Sequence, residues 1–271
     1  MSTGINFYKM VASGNDFIVV DNRKHLIKNP KNFTKKVCPR NFGVGADGVL
    51  FMEKSTKADI RMRIINLDGS EAEMCGNGSR CAALFAHKKL GFGRKFAMET
   101  KAGIIHCDIK PWTVQVQLTY PSGFRNVATL EVLGREVPYY FINTGVPHTV
   151  IVEEDLDEVP VVELGRAIRH HDRFKPKGTN VNFISRTGPN SIKVRTYERG
   201  VENETLACGT GSTASAIVAV MAGLVKPSVD VRTRGGEILK INFKHEGNTV
   251  SNVTLEGNAE FIFEGSLSND I

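Results

Sequence analysis

The chain has 271 residues, 41% of them hydrophobic and 24% charged, proportions that give a globular protein with a real core and exclude a disordered one. That length fits one large domain or two of ordinary size, and no apolar run approaches the roughly 20 residues needed to span a bilayer. The net charge of +6 raises nucleic acid as a partner, but the basic residues are spread along the chain and the densest runs, Lys24 to Lys36 and His87 to Lys95, are short; a solvated basic surface that attracts an anionic small substrate is expected instead, with no nucleic-acid or membrane partner.

In chain order, the polar segment Met1 to Asn6 runs straight into a strand-like stretch, so no signal peptide and a cytoplasmic setting are expected. Runs rich in β-branched and aromatic residues predict strands at Asp16–Val20, Val49–Met52 and Ile60–Ile65. A helix follows from about Asn77 to Leu90, apolar nearly all round and ended by Gly91, which suits a helix C-cap. A strand at Thr113–Leu118 leads to a cluster of turn residues at Pro121 to Asn126, the expected domain boundary. Strands then follow at Tyr139–Asn143 and His148–Val152, an amphipathic helix from about Val162 to His170, and a strand at Lys193–Tyr197. A second all-round apolar helix runs from about Thr210 to Ala222 and ends at Gly223. Strands at Val229–Arg232, Ile238–Phe243 and about Ala259–Phe263 complete the chain, with a turn at Gly247-Asn248.

The two apolar helices begin alike. Cys75-Gly76-Asn77-Gly78-Ser79 precedes Ala83 and Ala86, and Cys208-Gly209-Thr210-Gly211-Ser212 precedes Ala216 and Ala219, so C-G-x-G-S-x-x-x-A-x-x-A occurs twice, 133 residues apart (75 and 208). Two further segments repeat in the same order. Gly14-Asn15-Asp16-Phe17 with its following strand matches Gly145 through Val152, and Gly45 through Phe51 matches Gly178 through Ile184. Collinear matches at nearly constant spacing indicate duplication of a domain of about 130 residues. The expected architecture is α+β: two pseudo-symmetric domains, each with a buried central helix surrounded by strands, spanning 1–121 and 122–258, with the last strand (259–271) assignable to either half.

Each repeated cysteine sits where a Gly-rich turn opens a helix. Exposed N–H groups and the helix dipole make such a place bind anions and favour a thiolate. The five cysteines, Cys38, Cys75, Cys81, Cys107 and Cys208, are odd in number and scattered, so no disulfide framework is expected. The absence of CxxC and HExxH argues against zinc or another metal. Four other readings compete: a pair of buried structural cysteines, a hydrolase nucleophile with a bystander, a P-loop-like cradle and a redox dithiol. Duplication speaks against the first two, the missing Gly-Lys-Ser/Thr ending against the third, and the long separation against the fourth. The pattern fits symmetric acid/base chemistry: inverting a stereocentre needs a base on one face and an acid on the other, and a thiolate with a thiol supplies both.

The string Asn66-Leu67-Asp68-Gly69-Ser70-Glu71-Ala72-Glu73-Met74-Cys75-Gly76-Asn77-Gly78-Ser79-Arg80-Cys81 resembles one signature of the diaminopimelate epimerases, and Thr196 through Ser212 resembles the other. Gly14-Asn15-Asp16-Phe17, Gly43 through Gly48 and Pro147-His148 agree in order, so the resemblance covers almost the whole chain. It implies a cofactor-independent isomerase that epimerises L,L-diaminopimelate to meso-diaminopimelate in lysine and peptidoglycan-precursor biosynthesis. It also implies a mostly antiparallel sheet curled around the central helix of each domain, and a homodimer. Carried over residue by residue, it makes Cys75 and Cys208 the catalytic pair. Asn15, Asn66, Gly76, Asn77, Asn180, Glu198, Arg199, Gly209 and Thr210 become substrate contacts, and His148 and Glu198 tune the site. Gly48 and Val146 depart from the family pattern, where some members carry Gln and Asn, and are left out of the expected contacts. A proline or hydroxyproline racemase of the same fold is the nearest enzymatic alternative, and a thiol redox or metal-binding module the non-enzymatic one. Polar groups able to hold a second amino-acid end, Asn15, Asn66, Asn180 and Arg199, favour the diaminopimelate reading.

Overall fold

The computed structural model describes residues 4–118, 121–247 and 249–268. Asn248 of the expected Gly247-Asn248 turn, Met1–Thr3 of the N-terminal segment and the last residues of the 259–271 stretch lie outside the described residues. The chain separates into two compact units, residues 1–117 with 257–271 and residues 118–256.

The first unit contains β1 (Ile5–Ala12), β2 (Asn15–Asp21), α1 (Pro30–Val37), β3 (Gly48–Glu53), β4 (Ile60–Asn66), β5 (Glu71–Ala72), α2 (Gly76–Leu90), β6 (Lys95–Thr100), β7 (Gly103–Ile109) and β8 (Val114–Gln117). The second contains β9 (Ser122–Val132), β10 (Arg135–Asn143), β11 (Pro147–Val152), α3 (Val161–Arg169), a short 3-10 turn (Asp172–Phe174), β12 (Asn180–Gly188), β13 (Ser191–Glu198), β14 (Asn203–Thr205), α4 (Gly209–Met221), β15 (Val229–Arg232), β16 (Ile238–Glu246) and β17 (Thr249–Gly257). The last strand, β18 (Glu260–Leu267), pairs antiparallel with β1 and so belongs to the first unit.

Strand pairing is the same in both units. The first has the order β18-β1-β2-β3-β4-β6-β7-β8, with β5 beside β4; β2–β3 and β4–β6 are parallel and the rest antiparallel. The second has β9-β10-β11-β12-β13-β15-β16-β17, with β14 beside β13; β11–β12 and β13–β15 are parallel and the rest antiparallel. Each parallel pair is joined by a helix, as a parallel crossover requires. In the first unit α2 touches β1 and β2 as well as β7 and β8, strands far apart in the sheet order, so the sheet curls around the helix. In the second, α4 touches strands from β10 through β16 in the same way.

Small residues make this enclosure possible. The α2 positions Gly76 through Ala83, with Phe85 and Ala86, are buried, and so are Gly209 and Gly211 through Ala219 in α4. Gly, Ala and Ser let the surrounding sheet approach the helix backbone, and close packing replaces the amphipathic stripe of a surface helix. The left-handed cap at Gly91 ends α2 as the sequence predicts (φ 79°). At the other end of the chain's first half, the eight-residue α1 escapes sequence reading because its lysines mask its apolar face. Asn29 caps it, Pro30 opens it, and Phe33 and Val37 pack into a cluster with Ile18, Phe51 and Ile65. The longer α3 presents Val161, Leu164 and Ile168 to Val181, Phe183 and Tyr197. No helix among the described residues is long and apolar enough to cross a membrane.

Candidate active site

Both motif cysteines are helix N-caps with extended backbone, φ −142° and ψ 118° at Cys75, φ −121° and ψ 113° at Cys208. The Cys75 Sγ accepts from the Gly78 N–H at 3.5 Å, and the Cys208 Sγ from the Gly211 N–H at 3.4 Å. Each cysteine carbonyl also takes the first helical N–H, from Ser79 and Ser212, at 2.8 Å. Sulfur therefore stands where Ser or Asp normally caps a helix, held by a donor that favours negative charge on it. Cys208 has a second polar neighbour, Thr210 Oγ1 at 3.4 Å.

The glycines of the motif are there for space. A Cβ on Gly211 would lie 2.4 Å from Asn182 Oδ1 and 3.3 Å from Cys208 Sγ. On Gly78 it would meet the Leu50 side chain at 3.2 Å and Phe17 at 3.6 Å. The first helix start thus abuts an apolar wall and the second a polar one.

In the first unit, Asn15 opens β2 and is held by two partners: its Nδ2 donates to Asp47 Oδ2 at 3.0 Å, and its Oδ1 accepts from Asn77 Nδ2 at 2.6 Å. This leaves Asn77 Oδ1 buried without a hydrogen-bond partner among the described residues. Behind Asn15, Arg40 bridges Asp16 and Asp47 with hydrogen bonds of 2.8–2.9 Å, and Lys9 reaches Asp16 at 2.6 Å. Burial works to raise the Asp16 carboxyl, but the hydrogen bonds and charges of Arg40 and Lys9 outweigh it and hold it at about 2. Asn66 ends β4, where its Nδ2 donates to Ser70 Oγ at 3.1 Å. At Gly48 an added Cβ would lie 2.7 Å from the Ile65 carbonyl oxygen, so this backbone has no room for a side chain there.

In the second unit, Asn180 opens β12. Its Oδ1 accepts from the Arg199 N–H at 2.9 Å and its Nδ2 donates to the Pro147 carbonyl at 3.1 Å, tying the β11 start to the turn after β13. Glu198 Oε2 accepts from Thr205 Oγ1 at 2.9 Å. Burial lowers the Arg199 guanidinium, and the neighbouring Arg169 charge adds to this. His148 is fully buried, and burial, then the Arg199 charge, push its imidazole down to about 3, so the ring is neutral.

Within the first unit the fold brings together Asn15 and Asn77 of the expected residues; within the second it joins Asn180 with Arg199, and Cys208 with Thr210. Sequence reasoning passed over Asp47, Arg40 and Asn182. The available signal was a polar residue inside an otherwise apolar strand run, as at Asn182 between Val181 and Phe183.

The model of the family described as diaminopimelate epimerase matches residues 7–122 and 140–262. A diaminopimelate epimerase of Aquifex aeolicus is 47% identical, with 98% of this chain and 99% of that protein covered. One of Methanocella arvoryzae is 43% identical, with 99% and 98% covered. Among solved structures, a phenazine biosynthesis protein of the PhzF family from Bacillus anthracis superposes with a TM-score of 0.75 at 18% identity, covering 99% of this chain and all of that one. A hydroxyproline epimerase from Agrobacterium vitis superposes at 0.70 and 16% identity, covering 100% and 94%. These two share the fold. The curated relatives are similar from end to end, and with both cysteine-capped helices in place the chain belongs to the diaminopimelate epimerase family.

Proposed function

We propose that this isomerase converts L,L-diaminopimelate to meso-diaminopimelate without a cofactor, using Cys75 and Cys208 as a two-base pair. The observation that carries this is the matched capping of the two thiols by Gly78 and Gly211. One thiolate takes the α-proton: the C–H bond breaks, an S–H bond forms, and its electron pair stays on the substrate as a planar carbanion delocalised into the carboxylate. The other thiol returns a proton to the opposite face and is left as the thiolate. The turnover leaves the proton on the first sulfur and the charge on the second; loss of one proton to solvent and gain of one from it restore the starting form, and in the reverse direction the two roles exchange.

The reaction needs both thiols to reach one α-carbon in a site from which water is excluded. Backbone N–H groups at Gly76-Asn77 and Gly209-Thr210, near two helix N-termini, suit the α-carboxylate and the charge that develops beside it. Asn77 Oδ1, a buried acceptor with no partner among the described residues, suits an ammonium. Asn15, Asn66, Asn180 and the planar fork of Arg199 serve the polar groups of the substrate, with Glu198 and His148 tuning charge around them. The family resemblance supports a homodimer working in the cytoplasm.

Incubating the protein with L,L-diaminopimelate in the presence of a chelator and a carbonyl reagent, and following the meso isomer by chiral chromatography, tests this reading. Conversion that survives both additions supports it. No conversion by reduced protein, or conversion abolished by the carbonyl reagent, overturns it.

A further inference from the structure

One hydrogen-bond chain in the second unit has no counterpart among the described residues of the first. Asn182, fully buried in β12, donates through Nδ2 to the Thr149 carbonyl at 3.1 Å. The same Nδ2 faces His148 Nδ1 at 3.1 Å, and Oδ1 accepts from Thr196 Oγ1 at 3.0 Å. A carbonyl oxygen only accepts, so the Thr149 contact fixes which end of the amide is nitrogen. An amide nitrogen only donates, so His148 Nδ1 must present its lone pair to it. The proton of the neutral ring then sits on Nε2. That atom is buried and has no hydrogen-bond partner among the described residues.

The duplication shows that this chain is not needed to build the fold. The residue 133 positions before Asn182 is Val49, a buried apolar residue in β3, and the first unit encloses α2 without any amide there. The helix start in that unit abuts Leu50 and Phe17, whereas Asn182 Oδ1 crowds Gly211 beside Cys208. A buried amide is kept only where its hydrogen bonds are met, and those of Asn182 are met by Thr149, Thr196 and the ring of a buried histidine.

We propose that Asn182 is a positioning residue that holds His148 as the neutral Nε2–H tautomer, so that His148 serves as a hydrogen-bond donor to negative charge in the site and not as a proton acceptor. The role assigned to His148 rests on the epimerase reading above; the tautomer is a property of the resting protein and is measured without any turnover. The complete burial of the ring and the nearby Arg199 charge both oppose its becoming an imidazolium.

The test is the long-range ¹H–¹⁵N spectrum of protein labelled at its histidines, with the His148→Asn variant identifying the signals of His148. At neutral pH the expected pattern is a bare Nδ1 and a protonated Nε2. In Asn182→Asp, an isosteric change that puts an acceptor where a donor stood, the proton is expected to move to Nδ1. That variant's kcat for α-proton exchange should fall about 10²-fold, the scale of losing one preorganised donor, with KM changed far less. Thr196→Val, which leaves the Thr149 contact in place, should keep the wild-type tautomer. A wild-type ring protonated at Nδ1, or at both nitrogens, would overturn the proposal even if Asn182→Asp fails to fold. So would an Asn182→Asp protein that keeps the bare Nδ1 or the wild-type kcat. An unchanged tautomer proposal with no epimerase activity in wild type would instead count against the functional reading alone.

Discussion

The Sγ of Cys208 lies 3.4 Å from the hydroxyl of Thr210, and the matching position in the first motif is Asn77, which turns instead to Asn15. The two thiols are therefore capped alike, and the residue two positions on is a hydroxyl against the sulfur in one motif and an amide bound to Asn15 in the other. A hydroxyl that donates to a thiolate is worth more than a neutral hydrogen bond, about 1.5–3 kcal/mol. Thr210→Val should lower kcat about tenfold or more while Thr210→Ser retains most of it, as read from initial rates in both reaction directions. Equal rates for the Val variant and wild type would show that the hydroxyl does not support the thiolate.

Cys75→Ser and Cys208→Ser each exchange a thiol for an aliphatic hydroxyl, a far weaker acid that does not supply the anion form. Both should cut epimerisation by about 10²–10⁴-fold, the usual contribution of a positioned acid or base, with folding intact by circular dichroism. Near-wild-type epimerisation by either variant would leave no place for a two-base scheme.

The glycines three residues after the cysteines should differ in tolerance. An alanine methyl at 211 meets Asn182 Oδ1 at 2.4 Å and Cys208 Sγ at 3.3 Å, whereas at 78 it meets the end of the Leu50 side chain at 3.2 Å. Leu50 has rotamers to yield with; the amide at 182 is tied on three sides. Gly211→Ala should be destabilised by about 1–3 kcal/mol and lose activity, and Gly78→Ala should suffer less on both counts. Urea unfolding and kcat for the two variants decide it, and the reverse ranking would contradict the account.

Stability should also depend on the His148 ring. It is neutral in the folded chain down to about pH 3, because of burial first and the Arg199 charge second, while its ordinary value is 6.5. As pH falls below 6.5 the unfolded chain takes up a proton that the folded chain refuses, so stability is full above that value and is lost progressively towards about 3. One proton accounts for a slope of at most about 1.4 kcal/mol per pH unit. His148→Asn should flatten the dependence across this window, as read from urea midpoints at a series of pH values. Equal slopes in the two proteins would show that the ring titrates normally.

Much of this arrangement was legible in the residues. The duplicated Cys-Gly-x-Gly-Ser followed by alanines announced two buried, cysteine-capped helices, since only small side chains let a sheet close around a helix, and α2 and α4 begin at Gly76 and Gly209 as that reading requires. Alternating or β-branched runs marked strands such as Val229–Arg232. What escaped depended on partners distant in sequence. The helix α1 is short and lysine-rich, so its apolar face emerges only against Ile18 and Phe51. The place of β18 beside β1 is set by pairing between the chain's two ends. Asp47 lies in the turn before β3 and Asn182 in β12, a strand outside those the residue pattern predicted, and their meaning appears once Asn15 and His148 are seen against them.

The most direct test of the two-thiol account is the fate of the α-hydrogen in D₂O. The reaction is started from each isomer separately, stopped early, and the product and recovered substrate are analysed by mass spectrometry. If one cysteine removes the proton and the other delivers one that has exchanged with solvent, early product carries deuterium at the α-carbon from either starting isomer, while recovered substrate remains largely unlabelled. Product that retains the original α-hydrogen in either direction would mean that a single group carries it across, and would contradict the account.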